Sequence, residues 1–485
     1  MEQFSNLVAN LVNKVNGIGK WQQQFMVTLF NVWISLRGRY TFSQLAGQSG
    51  INESTYRRNF CKSFDFASFN HSLIAEHCSS SRIIVLDPSY ISKSGKKTYG
   101  LGFFWSSTAG DMKKGLEIVG LSVVDLVAHT AFHYVVVQTD WGLAKEALEV
   151  FEAKQALLLE KAQKEALETA AAKAKEKADK EAAKAAKKVK TPRMNKNSKA
   201  SEKKAKDGKG KKKPSETKTA KPSKGGGALM LYYGNVVERY AADLLQLSKY
   251  LVVDAFFAKK EFIERMNRLG FTVVTRLRSD CVLQYPYLGE YSGSGRPRKY
   301  DGKVAVKALQ PSRFTKHEID ETTIHYEAQL WVQSLNRLAT VLIQHDLADD
   351  GSVKQVRVLV VAGDSPLTGK DIAQYYHCRY QAEFLFRDAK SFAGLEDCQA
   401  RSAEKLDFHF NTALTTVSLA KVAYHLSIPA EQRGAFSMHN IKTHAANQLL
   451  LHKVFLAYGI DPQQAKNNPL YAELCNDRMY CHVNI

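Results

Sequence analysis

Residues 143–226 cannot build a core, so any fold open to this 485-residue chain has to close around them. Leu143 to about Lys190 is rich in Ala, Lys and Glu, all good helix formers. Residues 191–226 then turn to Lys, Ser, Gly and Pro, with runs such as GKGKKKP and GGG. Too few apolar side chains are present to offset the entropy of ordering them. The first part reads as a helical arm and the second as a disordered basic tether. Such a tether adds nonspecific, salt-sensitive affinity for DNA or RNA, or is a solvated insert without a specific role; composition leaves both open.

The block also accounts for most of the charge. Residues 171–224 hold 21 of the 68 Lys and Arg against six acids, a net of +15 out of +20 for the whole chain. The remainder is only mildly basic, so nucleic-acid binding has to be argued from local sites as well. The seven cysteines are scattered without a CxxC pair, the pattern of free thiols in a reducing compartment. Cys475, Cys481 and His482 come nearest to a zinc set and are too few for one. No run of 18 apolar residues and no signal-peptide layout is present, and the expectation is a cytoplasmic protein without a membrane partner.

On either side of the block the sequence is globular. Residues 22–37 read as an apolar helix. Residues 43–47 and 53–61 read as two short helices around a turn, the second capped by Asn52 and carrying Arg57 and Arg58. Basic groups there suit base edges and phosphates of a major groove, although such helix pairs are common in domains that never touch DNA. Ile83–Leu86 is a buried strand delivering Asp87 at its end, followed by strands over 115–126 and 131–139.

Beyond the block, an amphipathic helix over 228–250 leads into the strand Tyr250–Val253, which ends in Asp254. A helix from about Lys259 closes at Gly270, and a strand Phe271–Leu277 brings Arg276 and Arg278 to its end. This β-α-β unit places Asp254 at a carboxyl strand end, where open α/β sheets put ligands. Short alternating runs from Cys281 to Ala362 read as a β-rich insertion. It contains the basic loop SGRPRKY (294–300) and Trp331, a packing residue or a platform for an unpaired base. Thr368, with Asp371 three residues on, caps a helix running to about Gly394. Helices over 404–427 and near 444–458 follow.

Within 368–394, the residues Tyr376, Arg379, Glu383 and Lys390 fall at roughly 0°, 300°, 340° and 320° around a helix, a polar stripe about 60° wide. Taken alone, this is either a solvated helix edge or a site offering one carboxylate between two cations and a phenol. Mg²⁺ and Mn²⁺ prefer hard oxygen ligands, and a two-ion phosphodiester site needs several carboxylates. Asp87, Asp254 and Glu383 would supply them if two neighbouring parallel strands and a helix brought them together.

The spacing Tyr376-x2-Arg379-x3-Glu383-x6-Lys390 resembles the Tyr-Arg-Glu-Lys signature of a branch of the DDE transposases of bacterial insertion sequences. IIVLDPSYISKSGKKTYG and YLVVDAFF provide the matching first and second aspartates. The likeness spans roughly residues 20–430 apart from the Lys/Ala block. It implies an α/β fold with an RNase H-like catalytic core interrupted by a β-rich insertion, and an N-terminal helical DNA-binding domain. The expected layout is 1–75 helical DNA binding, core parts at 76–142, 227–279 and 363–428, the insert at 143–226, the β-rich insertion at 280–362 and a helical tail at 429–485. The resemblance further implies Asp87, Asp254 and Glu383 as catalytic metal ligands for two Mg²⁺ or Mn²⁺ ions. Tyr376, Arg379 and Lys390 would hold end phosphates; the local reading of the chain, not the resemblance, adds Arg276, Arg278, Arg57, Arg58 and Trp331 as candidate DNA contacts. The partners would be double-stranded DNA, both element ends and target, and a second copy in synapsis, at the nucleoid. A DNA-binding relative without catalysis and a nuclease without strand transfer are the competing readings.

Overall fold

The apolar run around Ile84 pairs in parallel with the apolar run around Leu251, and the rest of the architecture extends from that pair. The structure is a computed structural model describing residues 2–106, 108–188, 224–291, 293, 295, 297–320, 322–363 and 365–480. The tether at 191–223, Ser294 and Arg296 of the basic loop, and Cys481 and His482 lie outside the described residues. The six described cysteines are free. Among the described residues no helix is long and apolar enough to cross a membrane.

In chain order the elements begin with five helices, α1 (Glu2–Val12), α2 (Lys20–Ser35), α3 (Phe42–Ser49), α4 (Glu53–Asn59) and α5 (Phe66–His77). Four strands follow, β1 (Arg82–Ser92), β2 (Gly102–Ser106), β3 (Asp111–Asp125) and β4 (Thr130–Gln138). Next come α6 (Trp141–Lys188), α7 (Lys224–Arg239), α8 (Ala241–Leu247), β5 (Tyr250–Val253), α9 (Lys260–Arg268) and β6 (Thr272–Arg276). Six more strands are β7 (Leu283–Pro286), β8 (Tyr300–Lys303), β9 (Thr315–Asp320), β10 (Thr323–Val332), β11 (Arg337–Leu347) and β12 (Val353–Ala362). The chain closes with α10 (Gly369–Cys378), α11 (Tyr380–Phe392), α12 (Ala403–Ser427), α13 (Met438–Ala457), α14 (Pro462–Ala465) and α15 (Pro469–Cys475). Two compact units result: Met1–Trp141 with Tyr232–Ile485, and Gly142–Leu231, the latter containing almost all of the 48-residue helix α6.

Among the described residues, twelve strands form one mixed sheet in the order β2-β3-β1-β5-β6-β12-β11-β10-β7-β8, with β4 also on β3 and β9 also on β10. β1, β5 and β6 are parallel, and β3 and β4 are antiparallel neighbours beside them. The β-rich stretch is not a separate layer, because β12 joins β6 antiparallel and continues the same sheet.

Sequence periodicity puts boundaries wrongly in three places. β1 does not stop at Leu86: it runs through Asp87 and Pro88 to Ser92, paired with β3 throughout. Its parallel pairing with β5 covers only Ile84 and Val85, so Pro88 sits where one flank is open and proline is tolerated. The amphipathic helix over 228–250 is two helices, broken at Tyr240 (φ −108°, ψ 7°). The capping box of Thr368 and Asp371 does open α10, but the helix to Gly394 divides at Arg379. Arg379 keeps right-handed helical dihedrals, yet its N–H reaches Tyr376 O (3.3 Å) and its own carbonyl accepts from Ala382 N (3.0 Å). These three-residue bonds tighten and redirect the chain.

The edge strand β4 would expose unpaired backbone groups. Polar residues set within the otherwise apolar α12 and α5 meet them. Asn411 accepts from Val136 N and donates to Val136 O, both at 3.0 Å, and also pairs with His133 Nε2 at 3.1 Å. Ser418 accepts from His133 N, Asn70 donates to Tyr134 O, and Lys421 donates to Ala131 O. Replacing Asn411 by Leu would strand both backbone groups of Val136. The expected cost is about 3 kcal/mol by denaturant unfolding, and a change below about 0.5 kcal/mol would contradict the edge-capping role.

Candidate active site

The register of the parallel strands decides where the acids stand. β1 and β5 pair Val85 with Val252, and β5 and β6 pair Val253 with Thr275. Continued by two residues or one, these ladders put Asp87, Asp254 and Arg276 at one level across three adjacent chains. Asp254 ends its strand by capping the short turn Ala255–Phe257: its Oδ1 accepts from Phe256 N at 2.9 Å, and its carbonyl accepts from Thr275 Oγ1 at 2.8 Å. The carboxylate is therefore held by its own backbone.

Glu383 reaches this row through Arg379. The guanidinium donates to Glu383 Oε1 at 2.7 Å and approaches Asp87 Oδ1 at 3.5 Å. The rings of Tyr376 and Tyr380 lie 5.8 and 5.0 Å from its central carbon. Arg379 is only 7% exposed, and its buried Nε has no partner among the described residues. Burial acts to lower its pKa, but the charges of Asp87 and Glu383 outweigh this and raise it. Burial pushes the Asp87 carboxyl up to about 7; Arg379 opposes the rise, and Glu383 and Asp254 add to it. Asp87 therefore feels the charges of both other acids.

Lys390 donates to Tyr90 O at 2.7 Å and lies 3.7 Å from Glu396, and burial lowers its pKa. Tyr376 is nearly buried, which raises its phenol pKa, and it feels the charges of Arg379, Arg276 and Asp254. The remaining residues singled out from sequence stand elsewhere. Arg278 pairs with Asp280 at 3.4 Å on the surface. Trp331 packs on Tyr300 across β10 and β8. On α4, Arg57 donates through Nε to Glu53 at 2.7 Å and covers Phe42, while Arg58 is exposed.

As donors, three carboxylates suit a hard divalent cation, and their mutual repulsion at Asp87 is what such a cation would relieve. The set is not closed, however. Among the described residues, no three His, Cys, Asp or Glu side chains stand close enough to share an ion. Arg379 stands between Asp87 and Glu383, so its guanidinium and a shared cation would compete for the same two carboxylates.

Sequence reading overlooks what seats α11 against the sheet. Gly120 is the β3 partner of Asp87, and a Cβ there would stand 2.5 Å from Phe386 Cζ. A glycine inside the apolar run GLSVV is the available signal, since strand glycines mark close approach. Gly120→Val is expected to cost about 1–3 kcal/mol. By tilting α11 it should also slow cleavage about 10²-fold, the scale of a 1 Å misplacement. Gly120→Ala with Phe386→Leu should recover most of both in melting and cleavage assays, and failure of that pair to recover would sink the account.

The chain matches the family model described as DDE superfamily endonuclease over residues 69–337, a span that includes Asp87 and Asp254 and stops before Glu383. No curated protein matches it. Since that match takes in more than half of the sequence, the chain belongs to the DDE superfamily of endonucleases, and its function is of the transposase or nuclease type.

Proposed function

We propose that this protein is a DNA transposase of the Tyr-Arg-Glu-Lys branch, cutting element ends and joining the freed 3′-hydroxyl to target DNA. The observation that carries the reading is the junction at Arg379, where one guanidinium spans Asp87 and Glu383 beside Asp254. The strand order β4-β3-β1-β5-β6, three antiparallel then three parallel neighbours counted through β1, supports an RNase H-like core.

In this reading Asp87, Asp254 and Glu383 would hold two Mg²⁺ or Mn²⁺ ions. Bound there, the ions supply activation of the attacking oxygen and stabilisation of the leaving one. Arg379, released from Glu383, takes a phosphate oxygen in a bidentate grip, and Lys390 adds a point charge. Tyr376, whose ring centre lies 5.8 Å from the guanidinium carbon, holds a neighbouring phosphate with its phenol. In the first step water adds to phosphorus and the 3′-oxygen leaves, giving a 3′-hydroxyl and a 5′-phosphate. In the second, that hydroxyl adds to a target phosphodiester and displaces another 3′-oxygen, so bond count and charge balance without a co-reactant. A hairpin on the element end, a dimer that synapses two ends and the N-terminal helices α3 and α4 on DNA complete the proposal.

The test uses duplex oligonucleotides taken from the DNA flanking the coding sequence, incubated with protein and Mg²⁺ and then with supercoiled plasmid. Nicking at one defined position followed by joined product is the expected result. Cutting without joining would leave a nuclease, and binding without cutting would overturn the enzyme.

A further inference from the structure

The hairpin of β2 and β3 shows a face of large apolar side chains to solvent. Phe103 is 62% exposed, Trp105 59% and Met112 48%. The pairing Phe103↔Lys114 and Trp105↔Met112 puts all four residues on one side of the ribbon. Phe104, between the two exposed rings, turns to the other side and stacks on Trp141. The hairpin is therefore anchored by its back and bare on its front.

That front is on the same side of the sheet as the acids. Asp87 pairs with Gly120, the register between β1 and β3 is unbroken from Asp125 to Gly115, and β2 and β3 remain in register to Asp111. Side chains alternate strictly along a strand, so Lys114 and Met112 share the face of Gly120 and hence of Asp87. They lie six and eight residues along β3 from it, about 20–27 Å. The surroundings are basic: residues 93–114 contain five lysines and a single acid, Asp111. Lys96, Lys97, Lys113 and Lys114 are all exposed.

Two exposed aromatic faces in line, a thioether beside them and lysines around them suit bases that are out of a duplex, because stacked bases have no free face to offer. We propose that Phe103, Trp105, Met112 and Lys114 form a stacking platform for unpaired nucleotides on the DNA that the carboxylates cut. This rests on the nucleic-acid reading given above and adds to it the form of the bound strand.

The test compares two fluorescent probes with the full-length protein: a blunt duplex, and the same duplex with a six-nucleotide single-stranded extension. Wild type should prefer the extended probe. Phe103→Ala/Trp105→Ala should weaken the extended probe about 10–100-fold, the scale of one to two lost stacking contacts, and the blunt probe less than twofold. Trp105→Phe should retain most of the preference, and Lys114→Gln should reduce the salt slope on the extended probe by about one. Equal losses on both probes, or none on either, would overturn the platform while leaving the nuclease reading in place. So would a changed sedimentation coefficient or vesicle binding in the double variant without a change in probe preference, marking a face for a second copy or a bilayer. A wild type that binds neither probe would overturn both.

Discussion

Asp87→Asn, Asp254→Asn and Glu383→Gln are each expected to lower Mg²⁺-dependent DNA cleavage at least about 10³-fold, the loss of several kcal/mol of metal-borne stabilisation. The amides are chosen because they keep the local geometry. In Asp254→Asn the amide oxygen can still accept from Phe256 N, and in Glu383→Gln it can still accept from Arg379. The charge is removed, and one acceptor oxygen becomes an NH₂ donor. At Asp87 that removal also relieves the cost of burying a charge, to which Glu383 and Asp254 add, so the Asp87→Asn protein should melt no lower than wild type without metal. With Mg²⁺ added, wild type should gain melting temperature and the three variants should gain less. DNA binding should survive in all three. A single variant that cuts at the wild-type rate would remove that acid from the site.

Much of this site is legible in the sequence because its residues sit where local rules apply. The apolar runs before Asp87 and Asp254 announce buried strands, Thr368 and Asp371 announce a helix start, and the fixed spacing of Tyr376, Arg379, Glu383 and Lys390 announces one polar edge. Other features escape for physical reasons. Pro88 reads as a strand end, and only the missing neighbour beyond Val252 explains why the strand continues. β2 is invisible because GFFWS is apolar on both faces: Phe104 meets Trp141, whereas Phe103 and Trp105 meet water, and alternation in burial leaves no alternation in hydrophobicity. The polar residues of α12 look like interruptions of an apolar helix until β4 is seen to need Asn411, Ser418 and Lys421 along its open edge. The division at Arg379 involves no Gly or Pro, so no composition rule marks it.

Arg379 gives the second large effect, and it separates a positioning role from a merely structural one. Arg379→Ala removes the cation between Asp87 and Glu383, and the protein should lose about 2–3 kcal/mol without metal. That is below the range for fully buried pairs because Glu383 remains partly exposed. The two carboxylates are then uncompensated, so Mg²⁺ should raise the melting temperature of Arg379→Ala more than that of wild type. Cleavage should nonetheless fall about 10²–10³-fold, the effect of losing a donor aimed at developing charge. Arg379→Lys tests the shape of the group. An ammonium keeps the charge but cannot offer Glu383 and Asp87 separate donors in one plane, as the guanidinium does. Stability in Arg379→Lys should therefore recover in part while cleavage stays low. If the lysine variant cuts like wild type, the planar fork is not what the reaction uses. If Mg²⁺ stabilises Arg379→Ala no more than wild type, the guanidinium is not what keeps the acids apart from a shared cation.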